Sequence, residues 1–250
     1  MKRFEAKVAL LTGAGSGIGR ATSRRLASEG AIVVGLDIDP HTLAETERLI
    51  DADGGRFTAH VADVASREAC HDAVTATVSA HGRLDVLGNI AGIARSEHLA
   101  DITVQGWQQM FDVNVAGPVW LSQAAVPHLI ESAGNIVNIA SNAGLMGQAY
   151  TIAYCATKGA VVNMTRAMAM EFIKTPLRVN AVAPGGVETA LTSNYAMPDD
   201  VDYSLMANYM GLRGMAQPEQ IAAVFAFVAS DEAGAMTGAI VAVDNGLTAA

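Results

Sequence analysis

The chain has 250 residues, of which 51% are apolar and only 16% charged. That is enough for one large α/β domain with a sizeable core, and it argues against disorder. The formal net charge is −9 and the Lys and Arg residues are scattered, so a nucleic-acid surface, which needs a basic patch, is not expected. No apolar run reaches the roughly 18 residues of a membrane span. Cys70 and Cys155 lie in no CxxC or Cys/His cluster, so no metal is assigned and a reducing cytoplasmic setting fits best.

Val8 to Leu11 is too short for the apolar core of a signal peptide and reads as a first strand. Ile18 to Glu29 reads as a helix closed by Gly30, and Ile32 to Leu36 as a second strand. A helix over His41 to Ala52, a turn at Asp53-Gly54-Gly55 and a strand over Phe57 to Val61 follow. Next come a helix over Ser66 to Ala80, a strand over Leu84 to Gly88 and one long helical pattern from Val104 to Ile130. A strand over Asn135 to Ile139, a helix over Ile152 to Ile173 and a strand over Arg178 to Val182 come after it. Pro218 to Ala229 reads as a helix and Ile240 to Val243 as the last strand. Short apolar runs alternating with helical patterns imply βαβ units. The expected fold is a single Rossmann-type domain: a doubly wound parallel sheet of about seven strands with helices on both faces, in three α/β/α layers. Val187 to Met215 breaks the alternation. It carries Met197, Met206, Met210 and Met215 with Tyr195, Tyr203 and Tyr209, and a segment of this length in a compact domain is expected to be a substrate lid.

The first strand runs into Thr12-Gly13-Ala14-Gly15-Ser16-Gly17-Ile18-Gly19 before a helix. Glycines permit close approach of backbone to ligand, and a helix N-terminus offers free N–H groups to a pyrophosphate. Asp37 ends the second strand. An acid so placed accepts hydrogen bonds from an adenosine ribose and repels a 2′-phosphate. With no Arg or Lys between Leu36 and Leu43, and with Ser16 where a loop cation could have helped, the expected cofactor is NAD rather than NADP.

These stretches resemble the short-chain dehydrogenase/reductase superfamily. Thr12 to Gly19 is similar to its TGxxxGxG motif, and Asn89-Ile90-Ala91-Gly92 to NNAG, with Ile90 in place of the second Asn. Asn114, Ser141, Tyr154 with Lys158, and Pro184-Gly185 match its helix asparagine, serine, YxxxK and PG positions, in the same order. The resemblance spans essentially the whole chain and favours the shorter single-domain branch. It implies Asn114, Ser141, Tyr154 and Lys158 as catalytic residues. It implies cofactor contacts at Gly13, Ser16, Gly17, Ile18, Gly19, Asp37, Asp63, Val64, Asn89, Ala91, Gly92, Tyr154, Lys158, Pro184, Gly185, Val187 and Thr189. It assigns Asp63-Val64 to the adenine, Asn89 to steadying the central sheet, Lys158 also to the nicotinamide ribose, and Val187 and Thr189 to the carboxamide.

The residue types suit alcohol oxidation and its reverse. A tyrosine is far too weak an acid to serve as a base at neutral pH, since its ordinary pKa is about 10. Lys158 lies one helical turn beyond Tyr154, on the same face. A cation ~5 Å from the phenolate is expected to lower the pKa by roughly two units. Ser141, at the carboxyl end of a strand, can hydrogen-bond the substrate oxygen. Pro118, four residues after Asn114, has no N–H for the Asn114 carbonyl, so a kink is expected there. In the superfamily that asparagine is proposed to hold the water linking the lysine to solvent. Cys155, beside Tyr154, points elsewhere on the helix and reads as small packing.

Ile93, Met146 and Gln148 follow strand ends and are expected to join Ser141 and Tyr154 around the substrate. With the lid methionines they suggest a neutral, greasy pocket for a secondary alcohol or ketone, cyclic and steroid-like ones included. The apolar circumference of the 152–173 helix and the family resemblance imply a homotetramer. Two other readings stand beside the NAD-dependent oxidoreductase: a carbonyl or 3-oxoacyl-thioester reductase, and a non-catalytic NAD-binding sensor or scaffold.

Overall fold

The structure is a computed structural model that describes residues 2–193, 197–209 and 213–249. Among these residues the chain forms seven strands: β1 (Val8–Thr12), β2 (Ile32–Asp37), β3 (Arg56–Val61), β4 (Val86–Asn89), β5 (Asn135–Ile139), β6 (Arg178–Pro184) and β7 (Ile240–Val243). They make one sheet in the order β3-β2-β1-β4-β5-β6-β7, and every pairing is parallel. The helices are α1 (Gly17–Ser28), α2 (Pro40–Ala52), α3 (Arg67–His81), α4 (Val104–Phe111), α5 (Gly117–Glu131), α6 (Ile152–Glu171), α7 (Ala190–Ser193) and α8 (Pro218–Ala229). This is the expected Rossmann-type α/β fold.

Side-chain alternation divides the core into two layers. Ala9 and Leu11 of β1 face a cluster built with Leu26 of α1, Ile50 of α2 and Phe225 of α8. Leu10 faces the opposite cluster, with Val74 of α3, Leu121 of α5 and Ala169 of α6. A strand buried on both sides favours a near-continuous apolar run; β1, β4 and β5 are buried throughout, and the buried Asn89, Asn135 and Asn138 among them are paired through side-chain hydrogen bonds. From β1 the chain winds outward in one direction to β2 and β3, then returns to continue through β4 in the other. That reversal opens a crevice at the carboxyl ends of β1 and β4, where sheets of this kind bind ligands.

One expected element divides. The pattern from Val104 to Ile130 folds as α4, a π-helical turn at Asp112–Ala116, and α5. Pro118 sits in the first turn of α5, and the widened turn just before it accommodates a ring that removes a backbone donor. The expected kink is thus present as a π-turn that holds Asn114. Asp39 caps α2, which begins at Pro40, one residue before the expected start. Its carboxylate accepts from His41 N (2.8 Å) and Thr42 N (3.4 Å), with Pro40 in the first turn. In the expected lid, the described residues form α7 and a 3-10 turn at Tyr203–Tyr209, bounded by an isolated parallel bridge from Val187 to Ala216. Tyr195 and Met210 lie outside the described residues.

Thr12 locks the switch point. Its hydroxyl accepts from the backbone N–H of Ile90 (2.8 Å) and of Ala91 (2.9 Å), joining the ends of β1 and β4. Thr12→Val keeps the shape and orphans both donors. The expected loss of about 2–4 kcal/mol in unfolding free energy, with an unchanged m-value, is to be measured by urea denaturation.

Candidate active site

At the carboxyl ends of β1, β2 and β4 lies a cavity of about 1130 Å³, lined by Gly13, Ser16, Gly17, Ile18 and Gly19. The glycines are there because side chains have no room. A Cβ on Gly19 would lie 1.9 Å from the Gly13 carbonyl oxygen, and one on Gly13 would lie 3.0 Å from the Ala91 Cα. Gly13 and Gly17 also adopt positive φ, 64° and 48°, which glycine accepts without strain. The first turn of α1 carries no acidic residue, and the Ser16 side chain does not cap it. Its N–H groups and positive dipole end therefore face the cavity.

Asp37, Asp63, Val64, Ala91, Gly92, Ile93 and Thr189 line the same cavity. The Asp37 carboxylate is held by Gly15 N (2.9 Å) and Asp39 N (3.1 Å), at the β2 end of the cradle. Asp63 accepts from Ala65 N (2.9 Å), turning the β3 exit toward the opening. An enclosed glycine floor, an uncapped helix N-terminus and a fixed carboxylate fit the pyrophosphate and ribose of a nicotinamide dinucleotide.

Two of the four expected catalytic residues, Asn114 and Lys158, meet next to Gly92, and Tyr154 lies beside the lysine. A Cβ on Gly92 would lie 3.2 Å from Asn114 Oδ1 and 3.5 Å from Lys158 Nζ. The Asn114 side chain clamps the loop after β4: its Oδ1 accepts from Ile93 N (2.9 Å) and its Nδ2 donates to Ile93 O (2.9 Å). The same amide donates to Thr157 Oγ1 (3.1 Å), tying the π-turn to α6. Lys158 is 4% exposed. Its ammonium donates to Ile139 O (2.9 Å) and sits 5.7 Å from the centroid of the Tyr154 ring. Ser141 ends the β5 exit, and its hydroxyl accepts from Ala143 N (3.1 Å) and donates to Asn142 Oδ1 (3.1 Å).

The electrostatics correct one expectation. Burial pushes the Tyr154 phenol above its ordinary range, and the Ser141 hydroxyl offsets only part of that rise. Burial also lowers Lys158 to about 8. The neighbouring lysine does not reverse the rise at Tyr154. Its proton-bearing nitrogen is turned to the Ile139 carbonyl, and both groups are desolvated, which favours their neutral forms.

Other expected contacts fall in different places. Asn89 does not line the cavity. It is buried in the sheet, donating to Asn138 Oδ1 (2.8 Å) and weakly to Ser122 Oγ (3.4 Å), which fits the sheet-steadying role that the resemblance assigned to it. Pro184 belongs to β6. Gly185 N donates to Val243 O (3.1 Å), and a Cβ on Gly185 would lie 2.9 Å from the Asp244 Cα. Val187 is buried at its bridge to Ala216. Met146 and Gln148 are half-buried beyond Ser141, with the Gln148 carbonyl accepting from Thr151 Oγ1 (3.0 Å). Cys155 Sγ lies 3.3 Å from Thr151 Oγ1, a packing contact. Sequence reasoning missed one wall of the cavity: Gln105, Gln108 and Asp112 of α4 and the π-turn, with Val113 and Ile38. The polar face of α4 was the available signal, but only the tertiary fold brings it to the same cavity as Asp63.

The chain matches the short chain dehydrogenase family over residues 7–199. It is 38% identical to the meso-2,3-butanediol dehydrogenase of Serratia marcescens, covering 99% of this chain and 96% of that protein. It is 36% identical to the 3-oxoacyl-[acyl-carrier-protein] reductase of Thermotoga maritima, covering 98% and 99%. A crystal structure of a short chain dehydrogenase from Burkholderia cenocepacia in complex with NADP superimposes with a TM-score of 0.89 at 31% identity, covering 98% of this chain and 99% of the other. The chain belongs to the short chain dehydrogenase family. It is an oxidoreductase of a family that binds nicotinamide cofactors and small-molecule substrates. Among the described residues no helix is long and apolar enough to cross a membrane.

Burial of Lys158 carries a stability consequence. A lysine whose folded pKa is depressed costs stability wherever the unfolded chain would hold the extra proton. The cost is full below about pH 8 and disappears as the pH rises toward the ordinary lysine value of 10.5. Lys158→Met is therefore expected to be about 1–3 kcal/mol more stable than the native protein at pH 7. Urea denaturation should show that gap closing between pH 8 and 10.5.

Proposed function

We propose that the protein is an NAD-dependent dehydrogenase that interconverts a neutral secondary alcohol and its ketone. The observation that carries this reading is the convergence of Asn114 and Lys158 on Gly92, a residue that also lines the glycine cradle. A proton-transfer group and a dinucleotide site thus share one wall.

In the oxidising direction Ser141 accepts or donates a hydrogen bond at the substrate oxygen, and Tyr154 takes the hydroxyl proton. Lys158 holds positive charge beside the phenolate as it forms. Asn114 fixes the Gly92-Ile93 loop against α6 and supports the path by which the lysine exchanges its proton. Gly13 to Gly19 hold the pyrophosphate, Asp37 the adenosine ribose, Asp63 and Val64 the adenine, and Val187 and Thr189 the carboxamide. Bound nicotinamide supplies the two-electron acceptor or donor. In reduction Tyr154 returns its proton to the substrate oxygen.

Ile93, Met146 and Gln148 border the substrate, and the described parts of the lid segment, 187–193, 197–209 and 213–215, close over it. Contacts across the mouth support the lid. The Tyr209 hydroxyl donates to Ala149 O (2.9 Å), Asp202 N donates to the Tyr150 hydroxyl (2.9 Å), and the His98 ring lies 3.0 Å from Asp199 O. The alcohol named for the Serratia relative supports a small neutral substrate. The Thermotoga relative supports a second reading, a reductase of 3-oxoacyl thioesters. Val104, 88% exposed, and Met170, 67% exposed, leave apolar surface on α4 and α6, which favours assembly as a homotetramer. A cytoplasmic location goes with unpaired cysteines.

Because burial raises Tyr154, the base form is scarce at neutral pH and the acid form abundant. Alcohol oxidation is expected to climb with pH, and ketone reduction to fall over the same range, when followed at the nicotinamide absorbance band. Tyr154→Phe should lose turnover by at least about 10³-fold while still binding NADH by calorimetry. Turnover within a few fold of the native protein rules out the assigned role. Asp37→Ser should narrow discrimination between NAD and NADP, and unchanged discrimination defeats the NAD assignment.

A further inference from the structure

We infer that Arg20 and Thr46 set the cofactor selectivity of this site without touching the cofactor, by fixing the Gly15 peptide that orients Asp37; this rests on the assignment of Asp37 to the ribose. Gly15 is held from both ends. Its N–H donates to Asp37 Oδ2 (2.9 Å), and its carbonyl accepts from the Arg20 guanidinium. Arg20 reaches further, to Thr42 O (3.3 Å) and Thr46 Oγ1 (2.9 Å). Thr46 is fully buried, and its hydroxyl lies 3.0 Å from Ala14 O.

One guanidinium thus staples the glycine loop to the first turns of α2, the helix that follows Asp37. Its hydrogen bonds among the described residues all go to neutral oxygens, two carbonyls and a hydroxyl. Glu45, on the same helix, is engaged by Arg48. A half-buried cation spent on uncharged acceptors is a costly way to hold a loop unless the loop's geometry matters. Here the geometry decides where a carboxylate points. A Cβ on Gly15 would lie 2.3 Å from Thr42 Oγ1 and 2.8 Å from Asp37 Oδ2, so the peptide and the acid have no slack once Arg20 is in place. The fork commits the cation to the Gly15 and Thr42 carbonyls and the Thr46 hydroxyl rather than to the Asp37 carboxylate.

Isothermal titration of the full-length protein with NADH and NADPH tests this. Arg20→Met is expected to weaken NADH about tenfold and NADPH far less, narrowing the ratio between them. Arg20→Lys should recover part of the loss, since an ammonium can meet one carbonyl but not the fork. Thr46→Val, a smaller change, should narrow the ratio in the same direction and guards against poor folding of Arg20→Met. In an Asp37→Ser background, Arg20→Met should add no further loss of NADH. Equal loss of both dinucleotides, no loss at all, or full additivity with Asp37→Ser overturns the inference while leaving the dehydrogenase reading intact. Failure of the native protein to bind either dinucleotide overturns both.

Discussion

Lys158 carries an ammonium into a place with almost no access to water, and much of the site's arrangement follows from what that burial costs. Desolvating a cation is expensive unless it is given hydrogen-bond acceptors. The acceptor supplied is the Ile139 carbonyl at the end of β5, so the lysine fixes α6 against that strand as firmly as an apolar contact would. The residual cost appears as a pKa drawn down to about 8. A group so poised changes charge with small changes in its surroundings, which suits it to moving protons near neutral pH.

The phenol next to it shows why a spacing argument goes only part of the way. One helical turn puts Tyr154 and Lys158 on one face, and Coulomb attraction alone would then make the phenol acidic. Burial acts on both groups at once and in opposite senses, lifting Tyr154 and lowering Lys158. The pair is thus set toward neutral Tyr and partly neutral Lys. Sequence spacing reports proximity; it does not report dielectric.

How much was legible follows from where each feature is encoded. β1 and β2 could be read from apolar runs because a parallel strand covered on both faces has no polar side to confuse the pattern. The glycine floor was legible because each glycine answers a specific steric demand, as Gly19 does against the Gly13 carbonyl. Pro118 announced a disturbance near Asn114, although periodicity could not say that it would be a π-turn between two helices. The α4 wall of the cavity was not legible. Gln105 and Gln108 are ordinary polar residues on an amphipathic helix until the fold brings that helix to the cavity that Asp63 also lines. Asn89 shows the same limit in reverse. Its motif marks it out, but the side chain is spent inside the sheet on Asn138.

Selectivity between similar dinucleotides is a difference of affinities, so a rigid carboxylate discriminates better than a mobile one. A free Asp37 side chain could rotate away from a 2′-phosphate and lose most of its repulsion. Bound to two backbone N–H groups, it must break those bonds to retreat. On the proposed ribose assignment, the acid would act through its neighbours as much as through its charge. Two chains that both end β2 in aspartate can differ in cofactor preference if only one of them immobilises the loop facing it.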